Sequence, residues 1–408
     1  MTICDLIKLS VKDLTEHYAR GQLSPVEVLK TTLDHCEVTN PKINAVFSIR
    51  PEFALAEAQR SEKRWKEGRP KGLLDGIPVT VKDSVAIEGW PYFHGIAANR
   101  DLPASTYTSP PALALFEHGA VIFGKTTMPD CGLMASGLSS LHGITRNPWG
   151  LKWNTGGSSA GAGGSLAAGI GHLSVGTDIA GSVRLPAAHC GLASLKPTHG
   201  RVPHLPPDTM RMAGPMGRCV DDIARLLTVL ARPDERDTWS FPATDIVYHE
   251  RLDRNPAGVK IGFLTDMGFG QKPDGKVIEV VEKTVRLLEA AGAHVTNMPA
   301  PFDYNAYAPI DFFLQVRGFL ECQSLPAGRE NEVNEYVKNW SMPGAKHSGV
   351  DFYKSLNAIT RMKAALLKAC EPYDFIISPV MPVVNFPAEE PGVSREIPLG
   401  HTQFTALF

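Results

Sequence analysis

Residues 153–197, WNTGGSSAGAGGSLAAGIGHLSVGTDIAGSVRLPAAHCGLASLKP, contain ten glycines and six serines. Glycine loses more backbone entropy on folding than any other residue, so helix or strand propensity does not explain such a stretch. Glycine-rich turns can, however, aim amide N–H groups and small hydroxyls at one point. Two such clusters occur, TGGSSAG at residues 155–161 and TDIAGS at residues 177–182. The sequence therefore predicts two polar turns that form one site.

The segment between the clusters predicts a helix followed by a strand. GSLAAGIG at residues 164–171 is small and apolar, which is typical of a tightly packed helix. HLSVG at residues 172–176 is typical of a short strand. A helix and a strand in this order can return the second cluster to the sheet edge where the first one lies.

The same stretch resembles the amidase signature family of serine hydrolases, whose GGSSGG and DxGGSxRxPAxxCGxxGLKP patterns it matches nearly residue for residue. The resemblance implies that Ser182 is the nucleophile, Ser158 the bridging serine and Lys82, in GIPVTVKDS, the third member of a triad. It implies a cis peptide bond between Gly157 and Ser158. It also implies an α/β fold with a mixed central β-sheet covered by helices on both faces.

Residue chemistry also favours a lysine base. A serine hydroxyl is a poor nucleophile at neutral pH, so Ser182 needs a base within hydrogen-bond reach. None of the 13 histidines lies in either cluster, and His172 and His189, which lie nearest, are expected to be structural. Lys82 ends an alternating run at residues 77–81 that is typical of a buried strand. To act near pH 7 its pKa must fall about 3 units, which costs about 4 kcal/mol.

The remaining roles concern proton transfer and charge stabilisation. Ser158 would carry the proton from Ser182 to Lys82 and return it to the leaving amine. Asp178 and Arg184 flank the nucleophile and are expected to form an ion pair that braces the loop. TDIAGS is a glycine-assisted turn, and its backbone N–H groups are candidates for the oxyanion hole: Ile179, Ala180, Gly181 and Ser182.

Two other motif matches are rejected. GAVIFGKT at residues 119–126 fits the phosphate-loop formula, but its four middle residues form an apolar strand and a helix precedes it. Gly119 would then cap that helix, and Gly124 would follow the strand. GSSAG at residues 157–161 fits the nucleophile-elbow formula around Ser159, but no apolar strand precedes it.

Composition places the chain among ordinary globular enzymes. It is 43% hydrophobic and 21% charged, and its formal net charge of −2 argues against a nucleic-acid or anionic-membrane surface. The seven cysteines are scattered without a CxxC pair, which fits a reducing compartment and indicates neither disulfides nor zinc. No signal-peptide core or 18-residue apolar run is present. We predict a cytoplasmic monomer or homodimer that needs no metal or organic cofactor.

The chain is expected to form one domain over residues 1–408. Within it, residues 1–70 are a helical layer, residues 71–232 the signature core, and residues 233–408 a C-terminal half that is shorter than in the family. This last expectation comes from FTALF at the C-terminus, which matches only the start of a longer family segment.

Several segments outside the signature are expected to build the pocket or the sheet. Residues 136–141 would form one wall of the cleft, and the aromatic residues 302–325 a lid or a second wall. Residues 260–298 predict a strand–helix–strand unit, and residues 374–382 a buried strand.

The predicted function is hydrolysis of the C–N bond of a small hydrophobic or aryl amide through an acyl-Ser182 intermediate, and the same triad could attack an ester or a carbamate (urethane). Two alternatives stay open. One is the A subunit of a glutamine-dependent tRNA amidotransferase, which shares the signature. The other is a non-catalytic binding protein with the same fold.

Overall fold

A computed structural model describes residues 3–408 of the chain. Its α-helices are α1 Ile3–Lys8, α2 Val11–Ala19, α3 Pro25–Ile43, α4 Pro51–Lys66, α5 Pro110–Glu117, α6 Ala160–Ala167, α7 Arg184–Cys190, α8 Val220–Leu230, α9 Gly275–Ala290, α10 Tyr307–Gln323, α11 Glu335–Ser341 and α12 Gly349–Cys370. Its strands are β1 Val46–Phe47, β2 Pro78–Lys82, β3 Val121–Thr126, β4 Leu138–Ser139, β5 Gly143–Ile144, β6 Leu173–Asp178, β7 Ala193–Ser194, β8 Met212–Gly217, β9 Lys260–Phe263, β10 His294–Asn297 and β11 Phe375–Ile377.

A six-stranded mixed sheet forms the centre, in the order β1-β3-β2-β6-β8-β7. Strands β3, β2 and β6 are parallel, whereas β1, β8 and β7 pair antiparallel with their neighbours. Parallel neighbours end at the same sheet edge, so the C-terminal ends of β2 and β6 lie side by side. This arrangement confirms the predicted α/β fold with a mixed central sheet.

Alternate residues of β3 show that helices cover both faces of this sheet. Ile122 belongs to a buried cluster that contains residues of α2, α5 and α8. Val121 and Phe123 belong to a different buried cluster, with residues of α3 and α4. Because successive strand residues point to opposite faces, the two clusters lie on opposite sides of the sheet.

The strand–helix–strand unit is confirmed, but it does not extend the central sheet. Strands β9 and β10, joined by α9, are parallel and form a separate three-stranded sheet in which β9 also pairs with β11. The prediction of a buried strand over residues 374–382 was wrong, because β11 spans three residues and Phe375 is 52% exposed. An edge strand of a small sheet has no partner on its outer side and is covered on fewer sides than a central one.

A third buried cluster brings the C-terminal part of the chain to the glycine-rich stretch. It joins residues of α10 and α12 with Phe404 and Leu407, and Ile179 packs against it. The loop that follows β6 is therefore covered by residues more than a hundred positions away in sequence. Separately, no helix within residues 3–408 combines the length and the apolar character that a membrane crossing requires.

The predicted helix and strand between the two clusters both exist with shifted ends. Helix α6 begins at Ala160 rather than at residue 164, and β6 extends to Asp178. A side chain at Gly161 would collide with Ala45 O and Thr127 N, so the glycines of α6 permit close packing on neighbouring backbone. The helix ends before Gly169, whose φ of 78° lies in the left-handed region.

Candidate active site

Lys82, at the end of β2, is the candidate base, and its side chain is 1% exposed. Its Nζ donates hydrogen bonds to Ser158 Oγ at 2.8 Å and to Thr177 Oγ1 at 3.0 Å. Thr177 Oγ1 also lies within hydrogen-bond distance of Ser84 Oγ, at 3.1 Å. The parallel pairing of β2 with β6 places Lys82 beside Thr177, so the amine is surrounded by hydroxyl groups and not by carboxylates.

Burial lowers the pKa of Lys82 to about 7, because the charged amine loses its hydration. The positive charge of Arg211 acts in the same direction, whereas the negative charges of Asp178 and Asp83 oppose it. The fall agrees with the shift that a lysine base was expected to need. A large fraction of Lys82 is therefore neutral near pH 7 and able to accept a proton.

Ser158 lies in the turn before α6, and the Gly157–Ser158 peptide bond is cis, as the family resemblance implied. The following residue links the two glycine-rich clusters, because Ser159 N donates to Ser182 O at 3.1 Å. The Ser159 hydroxyl donates to Thr177 O at 3.4 Å, and its side chain is buried. Ser159 therefore supports the turn, as expected.

Asp178 organises the loop that carries Ser182. Its carboxylate accepts hydrogen bonds from Gly181 N at 2.7 Å and Val183 N at 3.1 Å. The Arg184 guanidinium donates to both carboxylate oxygens, at 2.9 and 3.1 Å. Burial alone would raise the pKa of Asp178, but its Arg184 and amide partners outweigh burial and lower it. The expected ion pair between Asp178 and Arg184 is present. Together with the two amide hydrogen bonds, it holds residues 178–184 in a turn around the Asp178 carboxylate.

The set of candidate oxyanion-hole amides must be corrected at Gly181. Its N–H donates to Asp178 Oδ1 and is not free to bind a developing oxyanion. Within the described residues, the amides of Ile179, Ala180 and Ser182 make no such bond. Gly181 has φ 135°, and a side chain there would approach Thr405 Oγ1, so this glycine shapes the turn.

Lys82, Ser158 and Ser182 line one cavity. The Ser182 side chain is half-buried, and its hydroxyl makes no hydrogen bond to a described residue. The lining of the cavity includes apolar side chains from several segments: Met128, Leu133, Met134, Leu314, Trp340 and Leu399. Such a cavity suits a small ligand with a hydrophobic part.

Two expectations about the walls had different outcomes. Residues 136–141 do not line the cavity, because the wall on that side comes from residues 131–134 just before them. The segment at residues 302–325 does contribute, through Leu314 of α10. The sequence analysis did not single out four other residues that line the cavity: Arg211, Leu399, His401 and Thr402. Thr177, which also lines it, was noted only as the first residue of TDIAGS.

The rejected motifs and the other candidates have structural roles. Strand β3 continues through Gly124, which was expected to follow it, and Lys125 Nζ donates to Asp83 O and Pro91 O at 2.8 and 2.6 Å. The described residues 145–159 contain no strand that could form a nucleophile elbow. Asp83 accepts hydrogen bonds from two backbone amides and braces a turn. His172 is buried, with Nε2 lying 3.2 Å from Leu6 O.

Within residues 3–408, no group of three or more His, Cys, Asp or Glu side chains is placed to hold a metal ion. The polar side chains that line the cavity are hydroxyls, the Lys82 amine, the Arg211 guanidinium and two imidazoles.

Sequence comparison connects this site with known proteins. The Amidase family model matches residues 27–397. An acylamidase from Rhodococcus erythropolis is 30% identical over 396 residues, which cover 96% of this chain and 82% of the relative. The A subunit of the mitochondrial glutamyl-tRNA(Gln) amidotransferase of Ixodes scapularis is 35% identical, and an indoleacetamide hydrolase from Bradyrhizobium diazoefficiens is 34% identical. These two matches cover 72% of this chain but only 61% and 56% of the relatives.

Structural comparison agrees with the family match. A bacterial aryl acylamidase described as belonging to the amidase signature enzymes superposes with a TM-score of 0.88 at 26% identity, covering 98% of this chain and 87% of that one. A 6-aminohexanoate cyclic dimer hydrolase superposes with a TM-score of 0.89 at 24% identity, covering 98% of this chain and 88% of that one, a likeness that concerns the fold alone.

Proposed function

Because the chain belongs to the amidase signature family, we propose that it hydrolyses the C–N bond of a small amide through an acyl-Ser182 intermediate. The observation that carries this proposal is the hydrogen bond from a buried lysine amine to Ser158, in a cavity that Ser182 also lines. A neutral amine that is hydrogen-bonded to one serine, in a cavity that a second serine lines, can activate a hydroxyl without histidine.

In the proposed reaction, the Ser182 hydroxyl attacks the amide carbonyl carbon while its proton passes to Ser158, and the Ser158 proton passes to Lys82. The same path then returns a proton to the leaving amine, and the C–N bond breaks. Water, activated by the same groups, attacks the acyl-Ser182 ester and releases the carboxylic acid. The Thr177 hydroxyl holds the Lys82 amine in place between transfers.

Negative charge on the carbonyl oxygen would be stabilised by the backbone amides of Ile179, Ala180 and Ser182. This set follows from the engagement of the Gly181 amide by Asp178. The Asp178–Arg184 pair supports the loop without contacting the reacting atoms.

We propose a hydrophobic or aryl amide as substrate, because the apolar side chains that line the cavity include Leu133, Leu314 and Trp340. The names of the acylamidase and aryl acylamidase relatives agree with this class. Ester and carbamate carbonyls present the same electrophilic carbon and are proposed as further substrates of the triad. The predicted cytoplasmic location, and a monomeric or homodimeric state, remain predictions.

A serine-directed sulfonyl fluoride tests the triad. Intact mass and peptide mapping should find one modification, at Ser182, in the wild-type chain and much slower modification in Lys82→Ala. Ser182→Ala should lower kcat for an anilide on the order of 10⁴-fold or more. Ser194→Ala is the matched control, because Ser194 lies on β7 outside this cavity.

Two histidines line the cavity, His94 and His401, and neither His→Ala variant should reproduce the loss in Ser182→Ala. Burial lowers the pKa of His401 to about 3, which makes it a poor base near neutral pH. A histidine variant as inactive as Ser182→Ala would overturn the lysine assignment. A folded wild-type chain that binds an amide without turnover and resists the sulfonyl fluoride would favour the non-catalytic alternative.

The second candidate function is that of the A subunit of a tRNA amidotransferase, which the match to the Ixodes scapularis protein favours. Size-exclusion chromatography combined with an amide hydrolysis assay separates the two. Turnover by the isolated chain supports the amidase proposal. Glutaminase activity that appears only when other amidotransferase subunits are added would support the amidotransferase proposal.

A further inference from the structure

Arg211 is a buried cation at the cavity that contains Lys82 and Ser182. Its side chain is 8% exposed, and it lines the cavity. A guanidinium group presents five N–H donors in one plane and keeps its charge in proteins. Burying such a group without hydrogen-bond partners is costly, so an arginine at this position calls for an explanation.

The two carboxylates near the Arg211 guanidinium form ion pairs with it that are longer than a hydrogen bond, and Asp208 Oδ1 also accepts a 2.9 Å hydrogen bond from the Arg211 backbone N–H. Asp208 Oδ2 lies 3.9 Å from Arg211 Nε, and Glu321 Oε1 lies 3.9 Å from Arg211 Nη2, which is too long for a hydrogen bond. Asp208 instead accepts a 2.6 Å hydrogen bond from Arg317. Glu321 Oε2 lies 3.6 Å from His94 Nδ1. Each carboxylate therefore has another side-chain partner that is closer than the Arg211 guanidinium.

Arg184 provides an internal comparison. This arginine, also next to Ser182, forms a bidentate pair with Asp178 at 2.9 and 3.1 Å. The Arg211 guanidinium makes no hydrogen bond to any described residue. Of these two arginines beside the nucleophile, Arg184 is structural and Arg211 has its donors available to the cavity.

The position of Arg211 brings it to the reacting end of the cavity. It immediately precedes β8, whose first residue, Met212, pairs with Asp178 at the end of β6. Arg211 therefore lies beside the start of the loop that carries Ser182. Its charge is close enough to Lys82 to help lower the pKa of that amine.

We propose that Arg211 binds a carboxylate carried by the substrate, so that the preferred substrates are amides with a second, anionic end. This inference rests on the proposed amide hydrolysis at Ser182. A carboxylate accepts two parallel hydrogen bonds from a guanidinium group, a geometry that a neutral ligand matches less well. The apolar wall at Leu314 and Trp340 would contact the hydrocarbon part of the same molecule.

Matched anilides test the proposal, because hydrolysis of each one releases an aromatic amine that can be measured. Glutaric acid monoanilide carries the carboxylate on the acyl side, and pentananilide is its neutral counterpart. N-acetyl-4-aminobenzoate, which carries the carboxylate on the amine side, is compared with acetanilide. The wild-type enzyme should prefer one anionic member by roughly 10- to 100-fold in kcat/KM, and the preferred pair identifies which end of the substrate Arg211 binds.

Arg211→Gln should lower kcat/KM for the preferred anionic anilide by a larger factor than for its neutral counterpart, and so remove the preference. Arg211→Lys keeps the positive charge but lacks the two parallel donors of a guanidinium group, so it should retain part of the preference. The assays should be run at a pH where the Lys82 amine is neutral in every variant, because loss of the Arg211 charge also raises the pKa of Lys82. The control is Arg201→Gln, since Arg201 packs over Phe241 outside the cavity.

Two results would overturn the proposal: equal kcat/KM for both members of each pair in the wild type, or an equal loss on both members in Arg211→Gln. If no anilide is hydrolysed, the proposed function fails for this class, and calorimetry still tests Arg211. Glutarate and 4-aminobenzoate would be titrated into Ser182→Ala with and without Arg211→Gln. A Kd at least tenfold weaker in the double variant supports the proposal, and an unchanged Kd, or no binding to either protein, contradicts it.

Discussion

Lys82 combines complete burial with two hydroxyl partners, Ser158 and Thr177. Burial destabilises the charged amine, and hydroxyl groups can exchange donor and acceptor roles as the amine gains or loses a proton. A carboxylate in direct contact would have kept the amine charged. The nearest negative charges, on Asp178 and Asp83, are instead held by other partners.

The pH dependence of hydrolysis should follow the protonation of the Lys82 amine. Because the neutral amine accepts the proton, kcat/KM is expected to be full above the Lys82 pKa of about 7 and to fall as the pH drops below it. The measurement is a pH profile with a substrate that does not titrate in this range. Arg211→Gln should move the acid limb to higher pH, because a repulsive positive charge is lost. An acid limb that stays in place in this variant would contradict the assigned charge interaction.

At the scale of elements, the loop after β6 is held from two directions. Within the loop, the Asp178 carboxylate accepts a hydrogen bond from Gly181 N. From the C-terminal segment, Thr405 Oγ1 donates a 2.5 Å hydrogen bond to Ala180 O. Phe404 and Leu407 are buried beside it. The amides proposed for the oxyanion hole are therefore positioned partly by residues far from the glycine-rich clusters.

Thr405→Val should test this support. Valine keeps the shape but removes the donor to Ala180 O, so kcat is expected to fall roughly tenfold through loss of about 1–2 kcal/mol of loop positioning. Thr405→Ser keeps the hydroxyl and is the control, with kcat near that of the wild type. Steady-state kinetics on the best amide would show the difference. Equal kcat values in both variants would mean that the contact does not position the loop.

At the scale of the whole molecule, a buried hydrogen bond links the N-terminal helix α2 to α8. Val11 N donates to Asp222 Oδ1 at 2.7 Å, across 211 positions of sequence. Asp222 is buried, and desolvation raises its pKa. The contact links the start of α2 to the first turn of α8, outside the cavity.

Asp222→Ala should lower the free energy of unfolding by about 1–3 kcal/mol, because the buried Val11 amide would lose its acceptor. Asp222→Asn keeps an oxygen acceptor and should lose less. Urea denaturation measures both variants, and kcat per folded molecule should be unchanged. A wild-type midpoint in Asp222→Ala would show that water or another group replaces the carboxylate.

The predictions that succeeded concern short, contiguous patterns. The strand predicted from the alternating run at residues 77–81 is β2, and the helix and strand predicted between the two glycine-rich clusters are α6 and β6. The start of α6 was misplaced by four residues, because glycine-rich helices owe their bounds to close packing and not to propensity. The small sheet of β9, β10 and β11 could not be separated from the central one, since strand pairing between distant segments leaves no local pattern.

From the sequence alone, the family resemblance implied the fold class and the candidate groups Lys82, Ser158 and Ser182, because each of these residues lies in a short motif that matches the family. Only the tertiary structure decided that Gly181 N–H is already bound to Asp178, and that residues 131–134, rather than 136–141, form the wall. It alone brought Arg211 to the cavity. The physical reason is that a cavity forms between segments distant in sequence, and its shape and charge depend on how they pack.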